Sequence, residues 1–203
     1  RCADRDWTLR DAVIARRLAE MFAIWPDDPP GGGLSPQLHR IATARDRVMA
    51  DNVEWVLRRE GAAGKLLLFA HNAHLVNAAI RGGIWDVYEK PAIVMGQHLR
   101  QRLGDALYVM PTVSTAGGDG FGVPGGRPGS FDGALHRAGT GDFLLDLRHA
   151  RDRSDIAPWL RAQQSIRTNL TTEIILSPHD AFDGVVHFRT LSASGSAGKD
   201  AGK

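Results

Sequence analysis

Apolar residues recur at helical spacing along two stretches near the start of the chain. Residues 8–25 place an apolar side chain every three or four positions, and a segment rich in Asp, Pro and Gly then interrupts the pattern. Residues 36–60 carry a second stripe at the same spacing, but two of its members, Arg45 and Asn52, are polar. The pattern therefore predicts two amphipathic helices, the second with polar groups on an otherwise apolar face.

Short apolar runs between glycine-rich and polar segments predict the strands. Residues 65–70 form such a run between Gly64 and His71, which is typical of a strand buried in a parallel sheet. Strands and helices alternate along the rest of the chain. This alternation predicts an α/β fold with a mainly parallel sheet and flanking helices. The further strands are predicted at 106–113, 143–147 and 184–188, and the further helices at 94–103, 130–137 and 155–167.

Composition excludes several classes of protein. The chain has 203 residues, a single cysteine and a formal net charge of +2. One cysteine rules out a disulfide framework and any cysteine-based zinc module. Nearly balanced charges argue against nucleic-acid or membrane-surface binding through bulk charge, and no apolar run approaches the ~20 residues of a membrane-spanning helix. We therefore expect a cytoplasmic protein with neither partner, ending in a disordered tail over residues 192–203.

The sequence His71-Asn72-Ala73-His74 follows the predicted strand 65–70 directly. Ligands in open α/β sheets bind beyond the carboxyl ends of the strands, so this is a favoured position for a site. Two imidazoles there can act as base, acid, hydrogen-bond donor or metal ligand, or they can simply cap the strand. Because no glutamate lies nearby to act as base, a metal-dependent hydrolase using His71 and His74 is the less favoured interpretation.

Arg45-Asp46-Arg47 and Asn52 lie within the second predicted helix. Arg45 and Asn52 are seven residues apart and share one helix face. An arginine on a core-facing stripe needs an anionic partner, which is either a structural carboxylate or negative charge on a substrate. Helix geometry alone favours the structural ion pair.

Two further motifs carry little weight. Residues 120–125 match the dinucleotide-binding pattern G-x-G-x-x-G, but Pro124 and Pro128 prevent the loop from opening straight into a helix. The serine-hydrolase pattern G-x-S-x-G is absent from the sequence. The sequence therefore supports neither a dinucleotide-binding protein nor a serine-elbow hydrolase.

Taken together, these segments resemble the C-terminal portion of the erythromycin esterase family, whose relatives include proteins labelled as succinoglycan-biosynthesis proteins. The resemblance begins with R-D-x-x-M-A-x-N at Arg45–Asn52 and continues through the apolar run to H-N-A-H. It extends through Met95-Gly96, Leu99-Arg100 and Leu103-Gly104-Asp105 with Tyr108, and ends at Phe182–Phe188. The occurrence of all these motifs in this order is specific for the family, although each motif alone is weak evidence.

The resemblance implies a hydrolase of carboxylic esters or lactones, such as macrolides, that uses a histidine general base to activate water. It implies no covalent acyl-enzyme, no metal and no cofactor. Carried over by motif, the catalytic residues would be His71, His74 and Arg45 or Arg47. Asn72 and Asn52 would contact a small-molecule ester or lactone substrate.

One part of the family pattern has no counterpart here. The family's base histidine lies in an N-terminal "GE…HG" stretch, and no comparable stretch is found in this sequence. We therefore expect residues 1–191 to be the C-terminal portion of an incomplete α/β domain that has little activity alone. The alternative is a non-catalytic or degenerate binding module that keeps the same fold.

Overall fold

A computed structural model describes residues 2–25, 36–87, 90–114, 126–139, 141–167 and 173–191. The chain divides into two compact units, Arg1–Val109 and Met110–Lys203. The predicted disordered tail and the G-x-G-x-x-G match at 120–125 lie outside the described residues. None of the described helices is long and apolar enough to cross a membrane.

The described part of the first unit is built from helices and extended segments. The predicted helix 36–60 is confirmed with the same bounds, while the first helix starts earlier and ends earlier than predicted. A 3₁₀ turn covers Gly83–Val87, and another, Gly104–Ala106, follows the last helix. The four α-helices are α1 (Cys2–Phe22), α2 (Pro36–Glu60), α3 (Asn72–Leu75) and α4 (Met95–Leu103).

Helix α1 contacts α2 through an aromatic and cationic cluster. The rings of Trp7 and Trp55 meet edge to face with centroids 4.6 Å apart. The Arg59 guanidinium lies 5.3 Å from the Trp7 centroid and 5.1 Å from that of Trp55, a cation–π arrangement. Arg10 of α1 also donates a hydrogen bond to Asn52 Oδ1. Several other apolar residues of α1, including Leu18 and Phe22, are exposed.

The core of the first unit lies between α2 and α4. Ala50, Met95 and Leu99 are buried there, with Leu68 and Ala70 among the partly buried residues that pack on them. Small side chains set the spacing of these elements. A Cβ added at Gly96 would lie 2.1 Å from the Leu75 carbonyl oxygen, so only glycine lets α4 approach α3 this closely.

The prediction of a buried strand at residues 65–70 is wrong, because this segment is neither paired with another strand nor buried on both faces. Among the described residues this segment belongs to no sheet. Leu67 and Phe69 are each 92% exposed, whereas Leu68 and Ala70 pack against the core. The segment therefore has the alternation of a strand covered on one face.

The second unit contains two small sheets. In the three-stranded sheet, β5 (Gly184–Phe188) lies between β1 (Thr112–Ser114) and β2 (Phe143–Asp146). Strand β5 is parallel to β1 and antiparallel to β2. Strands β3 (Gln164–Arg167) and β4 (Glu173–Leu176) form an antiparallel pair. The helices of this unit are α5 (Phe131–Arg137), α6 (Leu147–Ala150), α7 (Ala157–Arg161) and α8 (Pro178–Ala181).

The expectation of a mainly parallel sheet is therefore wrong, because the sheet is mixed. Strand β2 runs antiparallel to β5, and residues 65–70 add no parallel pair. A separate error is that the predicted helix 155–167 ends at Arg161. Its second half is strand β3, where Gln164 and Arg167 are buried despite being polar. Polar residues at buried positions conceal the alternating pattern by which a strand is recognised. The predicted α/β class is confirmed, whereas the predicted strand arrangement is wrong.

Two carboxyl groups, those of Asp132 and Asp183, are buried beside arginines in the second unit. Asp183 is 1% exposed and lies 3.0 Å from Arg148 Nε and 3.4 Å from Arg151 Nη2. Asp132 is 2% exposed and accepts hydrogen bonds from the Arg167 backbone N–H at 3.0 Å and from its Nε at 3.4 Å. Burial nevertheless raises the pKa of Asp132 to about 6, because desolvation of the carboxylate outweighs these bonds.

This raised pKa predicts a dependence of stability on pH. The folded state holds the Asp132 proton up to about pH 6, whereas an unfolded carboxyl releases it near 3.8. The free energy of unfolding should therefore fall by up to about 3 kcal/mol as pH rises from about 4 to about 6. Hydrogen exchange at the Ile166 and Ile174 amides, corrected for intrinsic rates, measures this. Asp132→Asn should remove the slope, and the exposed control Asp152→Asn should keep it; an unchanged slope in Asp132→Asn contradicts the assignment.

Candidate functional site

The H-N-A-H motif forms the short helix α3 and the residue that caps it. His71 is the N-cap, with φ −61° and ψ 137°, and its Nδ1 accepts the Ala73 backbone N–H at 3.2 Å. A ring nitrogen that accepts carries no proton, so neutral His71 holds its proton on Nε2. His71 is exposed, and this Nε2–H is therefore a donor available to a ligand.

His74 has the opposite proton arrangement. Its Nδ1 lies 2.7 Å from Asp46 Oδ1, and its Nε2 lies 3.2 Å from Arg45 Nη2. Because an ionised carboxylate only accepts and a guanidinium only donates, Nδ1 carries the proton and Nε2 is the acceptor. The carboxylate thus fixes the tautomer and the orientation of the ring. The motif presents one imidazole that donates through Nε2 and one that accepts through Nε2.

Asp46 is the structural centre of this cluster. Its side chain is 3% exposed, and Oδ1 accepts both the His74 Nδ1–H and the Met95 backbone N–H, the latter at 3.0 Å. Met95 is the first residue of α4, so Asp46 also satisfies a backbone donor at a helix N-terminus. Arg45 Nη2 lies 3.7 Å from Asp46 Oδ2 and supplies the nearby positive charge.

The two histidine rings influence each other. Their centroids are 6.2 Å apart at an interplanar angle of 70°. Although the His71 side chain is exposed overall, partial desolvation by the surrounding protein lowers the pKa of His71 below its ordinary value of 6.5, and the positive charge of protonated His74 lowers it further. His71 therefore stays in the neutral form, with Nδ1 free to accept the Ala73 N–H, at more acidic pH than an ordinary histidine.

The structure brings some of the predicted site residues together and separates others. Arg45 reaches His74, whereas Arg47 is exposed on α2. Asn52 bonds to Arg10, and no hydrogen bond among the described residues joins it to either histidine. Asn72 is the first residue of α3, between the two histidines of the motif. Asp46, which was not among the predicted site residues, is the one that orients His74.

A sequence signal for Asp46 was present but ambiguous. An acidic residue between two arginines is usually a solvated salt bridge. The distinguishing feature is its position beside Ile41, Met49 and Ala50, which face the core, but only the fold shows that α4 and α3 meet there. Within the described ranges, no three His, Cys, Asp or Glu side chains group in a way that could hold a metal ion.

Removing the Asp46 carboxylate should destabilise the first unit. Asp46→Ala leaves the Met95 N–H and the His74 Nδ1–H without their acceptor, and we expect the free energy of unfolding to fall by about 1–3 kcal/mol. Asp51→Ala is the matched control on the same helix, because it removes only a surface pair with Arg102 and should change stability by about 1 kcal/mol or less. Urea denaturation measures both, and equal losses would contradict the structural role of Asp46.

The lowered pKa of His71 should be visible by NMR titration. The His71 ring should titrate below 6.5, and His74→Gln should raise that midpoint because it removes the repelling imidazolium. The midpoint should remain below 6.5 in the variant, since burial still acts. A wild-type midpoint at or above 6.5, or one that His74→Gln lowers, would contradict this description of the site.

Comparison with known proteins places the chain in a family. The sequence profile described as erythromycin esterase matches residues 2–191. "Erythromycin esterase type II" of Escherichia coli is 27% identical over an alignment 182 residues long, and the match covers 81% of this chain but only 40% of that protein. The chain thus spans well under half the length of this curated relative.

Solved structures show the same fold. A protein titled as a succinoglycan-biosynthesis protein is 24% identical with a TM-score of 0.63, covering 87% of this chain and 42% of that one. A variant of the erythromycin esterase EreC, in its open conformation, is 19% identical with a TM-score of 0.56, covering 78% and 40%. The profile match over residues 2–191 shows that this chain belongs to the erythromycin esterase family.

Proposed function

We propose that this chain contributes part of the cleft of a carboxylic ester or lactone hydrolase, with macrolide lactones as one candidate substrate class. The observation that supports this most directly is the pair of oppositely arranged imidazoles at α3. His71 offers a donor at Nε2, and His74, held by the Asp46 carboxylate, offers an acceptor at Nε2. Ester hydrolysis needs both a donor for the developing oxyanion and an acceptor for a proton of water.

In this proposal, His71 Nε2–H donates to the carbonyl oxygen of the substrate as it gains negative charge. His74 Nε2 accepts a hydrogen bond from the attacking water and orients it, and the leaving alkoxide takes up the proton that the general base has removed from water. The Arg45 guanidinium, which lies against His74 Nε2 and is half exposed, turns towards the oxyanion and adds positive charge. These assignments use neither metal nor cofactor.

The histidine that first deprotonates water is proposed to lie in polypeptide outside this sequence. Two observations support this: the family's "GE…HG" stretch has no counterpart here, and the chain spans 40% of the E. coli relative. Residues 1–191 are then the C-terminal portion of a larger α/β domain, and the chain alone has little activity. Arg47, Asn52 and Asn72 remain proposed contacts, with Asn72 the best placed of the three because it lies between the histidines.

A non-catalytic binding module is the second candidate, favoured by the missing base. It predicts that a lactone binds and perturbs the His71 and His74 NMR signals, but that no hydrolysis follows in any longer form of the protein. Hydrolysis in a completed protein separates the two candidates.

The test is a chimera in which the part of the E. coli type II esterase that carries the "GE…HG" stretch precedes this chain. We expect it to hydrolyse a macrolide lactone or an aryl ester, and His71→Ala to lower kcat/KM by ~10²–10³, the usual loss for one oxyanion donor. His149→Ala is the control, because the His149 side chain is 90% exposed in the second unit, and it should leave kcat/KM unchanged. Efficient hydrolysis by the 203-residue chain alone would overturn the assignment of the base.

A further inference from the structure

The Arg45 guanidinium lies on the one ring nitrogen of His74 that can accept a hydrogen bond. Arg45 Nη2 is 3.2 Å from His74 Nε2, while Asp46 Oδ1 holds the proton of Nδ1 at 2.7 Å. Because a guanidinium only donates, this contact occupies the lone pair of Nε2. Water can therefore bond to this nitrogen only after Arg45 moves.

His149 in the second unit has the same carboxylate contact without a guanidinium. Its Nδ1 lies 2.9 Å from Asp146 Oδ2, and its side chain is 90% exposed. Within the described part of the chain, no group bonds to its Nε2. A carboxylate on Nδ1 is thus enough to fix the tautomer of a histidine. The contact between Arg45 and His74 is not needed for that purpose, and its direct effect is to cover the acceptor nitrogen.

Arg45 itself is weakly held. Half of its side chain is exposed, and the nearest carboxylate oxygen, Asp46 Oδ2, is 3.7 Å from Nη2, which is longer than a hydrogen bond. Among the described residues, its side chain donates to the neutral imidazole of His74. A guanidinium has five N–H donors, so most of those on Arg45 remain available to a ligand.

The chemistry of the guanidinium decides which ligand group can displace His74. A carboxylate accepts two parallel N–H bonds from an arginine and adds the attraction of opposite charges. A neutral carbonyl offers neither advantage over the imidazole nitrogen that Arg45 already contacts. An anionic ligand group therefore competes with His74 for Arg45 much better than a neutral group does.

We propose that Arg45 blocks His74 in the free protein and that a carboxylate carried by the ligand removes this block. The carboxylate binds the Arg45 guanidinium through two N–H groups, and His74 Nε2 then accepts a hydrogen bond from water. His71 Nε2–H remains available for the carbonyl oxygen of the ester. Arg45 thereby makes the site selective for esters or lactones with a carboxylate close to the scissile bond. This substrate class rests on the proposed function, whereas the displacement of Arg45 by an anion requires no turnover.

The first test measures the reactivity of His74 towards diethyl pyrocarbonate, which reacts with the unprotonated nitrogen of an imidazole. Peptide mass spectrometry at about pH 8, where an ordinary histidine is neutral, gives the rate at His74 relative to that at His149 in the same sample. Decay of the reagent then cancels. We expect sodium acetate to raise this ratio at least ~3-fold over sodium chloride of equal ionic strength, because acetate draws Arg45 away from Nε2.

Variants show whether Arg45 is responsible. Arg45→Ala should raise the ratio ~10-fold without acetate, since a bond from a charged donor no longer has to break, and should remove the response to acetate. Arg40→Ala, which removes another exposed arginine of α2, should change neither. Hydrogen exchange at the Met95 amide, which bonds to Asp46, shows whether Arg45→Ala keeps the site folded. If it does not, the response of the unsubstituted chain to acetate decides the question.

Two results of this first test would overturn the proposal. One is a ratio in the unsubstituted chain that acetate does not raise above its value in sodium chloride. The other is an acetate response that persists in a folded Arg45→Ala variant, because the anion then acts elsewhere.

The substrate class is tested separately in the chimera with the E. coli type II esterase. We expect para-nitrophenyl hydrogen adipate to be hydrolysed with a higher kcat/KM than para-nitrophenyl hexanoate, which lacks the carboxylate. Arg45→Ala should lower this preference ~10-fold, whereas Arg40→Ala should keep it. An equal preference in Arg45→Ala and the unsubstituted chimera contradicts the selectivity. A chimera that hydrolyses no ester contradicts the proposed function and leaves the acetate response of His74 unaffected.

Discussion

The buried carboxylate of Asp46 is the interaction on which the first unit and its site both depend. One oxygen, Oδ1, accepts a hydrogen bond from the His74 ring and another from the first backbone N–H of α4. Through these two bonds a residue of α2 fixes both α3 and the start of α4. A buried charge without such partners would be strongly unfavourable, so the three helices must meet here for the carboxylate to stay buried.

The close approach of the helices is set by residues with little side chain. Gly96 places the start of α4 against the carbonyl of Leu75, and Ala50 lies fully buried beneath it. Larger side chains at either position would move Met95 away from Asp46 and rotate His74 out of its pair with the carboxylate. The packing of the core and the tautomer of the site histidine are therefore consequences of the same contact.

The sequence predicted those features that depend on local pattern. Helices α2, α4 and α5 lie where the sequence predicted helices. The structure adds that Ser130 caps α5, because its Oγ accepts the Gly133 N–H at 3.0 Å. The H-N-A-H motif also indicated where the histidines lie. Strand β3 was missed because two polar residues occupy buried positions in it: Arg167 bonds to Asp132, 35 residues away in the sequence, and Gln164 bonds to the Trp159 carbonyl. The role of Asp46 was missed for the same reason, since its partners lie 28 and 49 residues away.

The two histidines of the H-N-A-H motif are held by different kinds of contact. The Asp46–His74–Arg45 arrangement is closed by contacts within the first unit, so the orientation of His74 does not need polypeptide from elsewhere. The segment that leads into His71 is different, because only the face with Leu68 and Ala70 is packed and the backbone is unpaired. His71 is therefore held by its own capping bond to Ala73 and by a strand packed on one face. A contact made to Leu67 or Phe69 would therefore act on His71 more directly than on His74, because His71 follows this segment in the chain whereas His74 is held by Asp46 and Arg45.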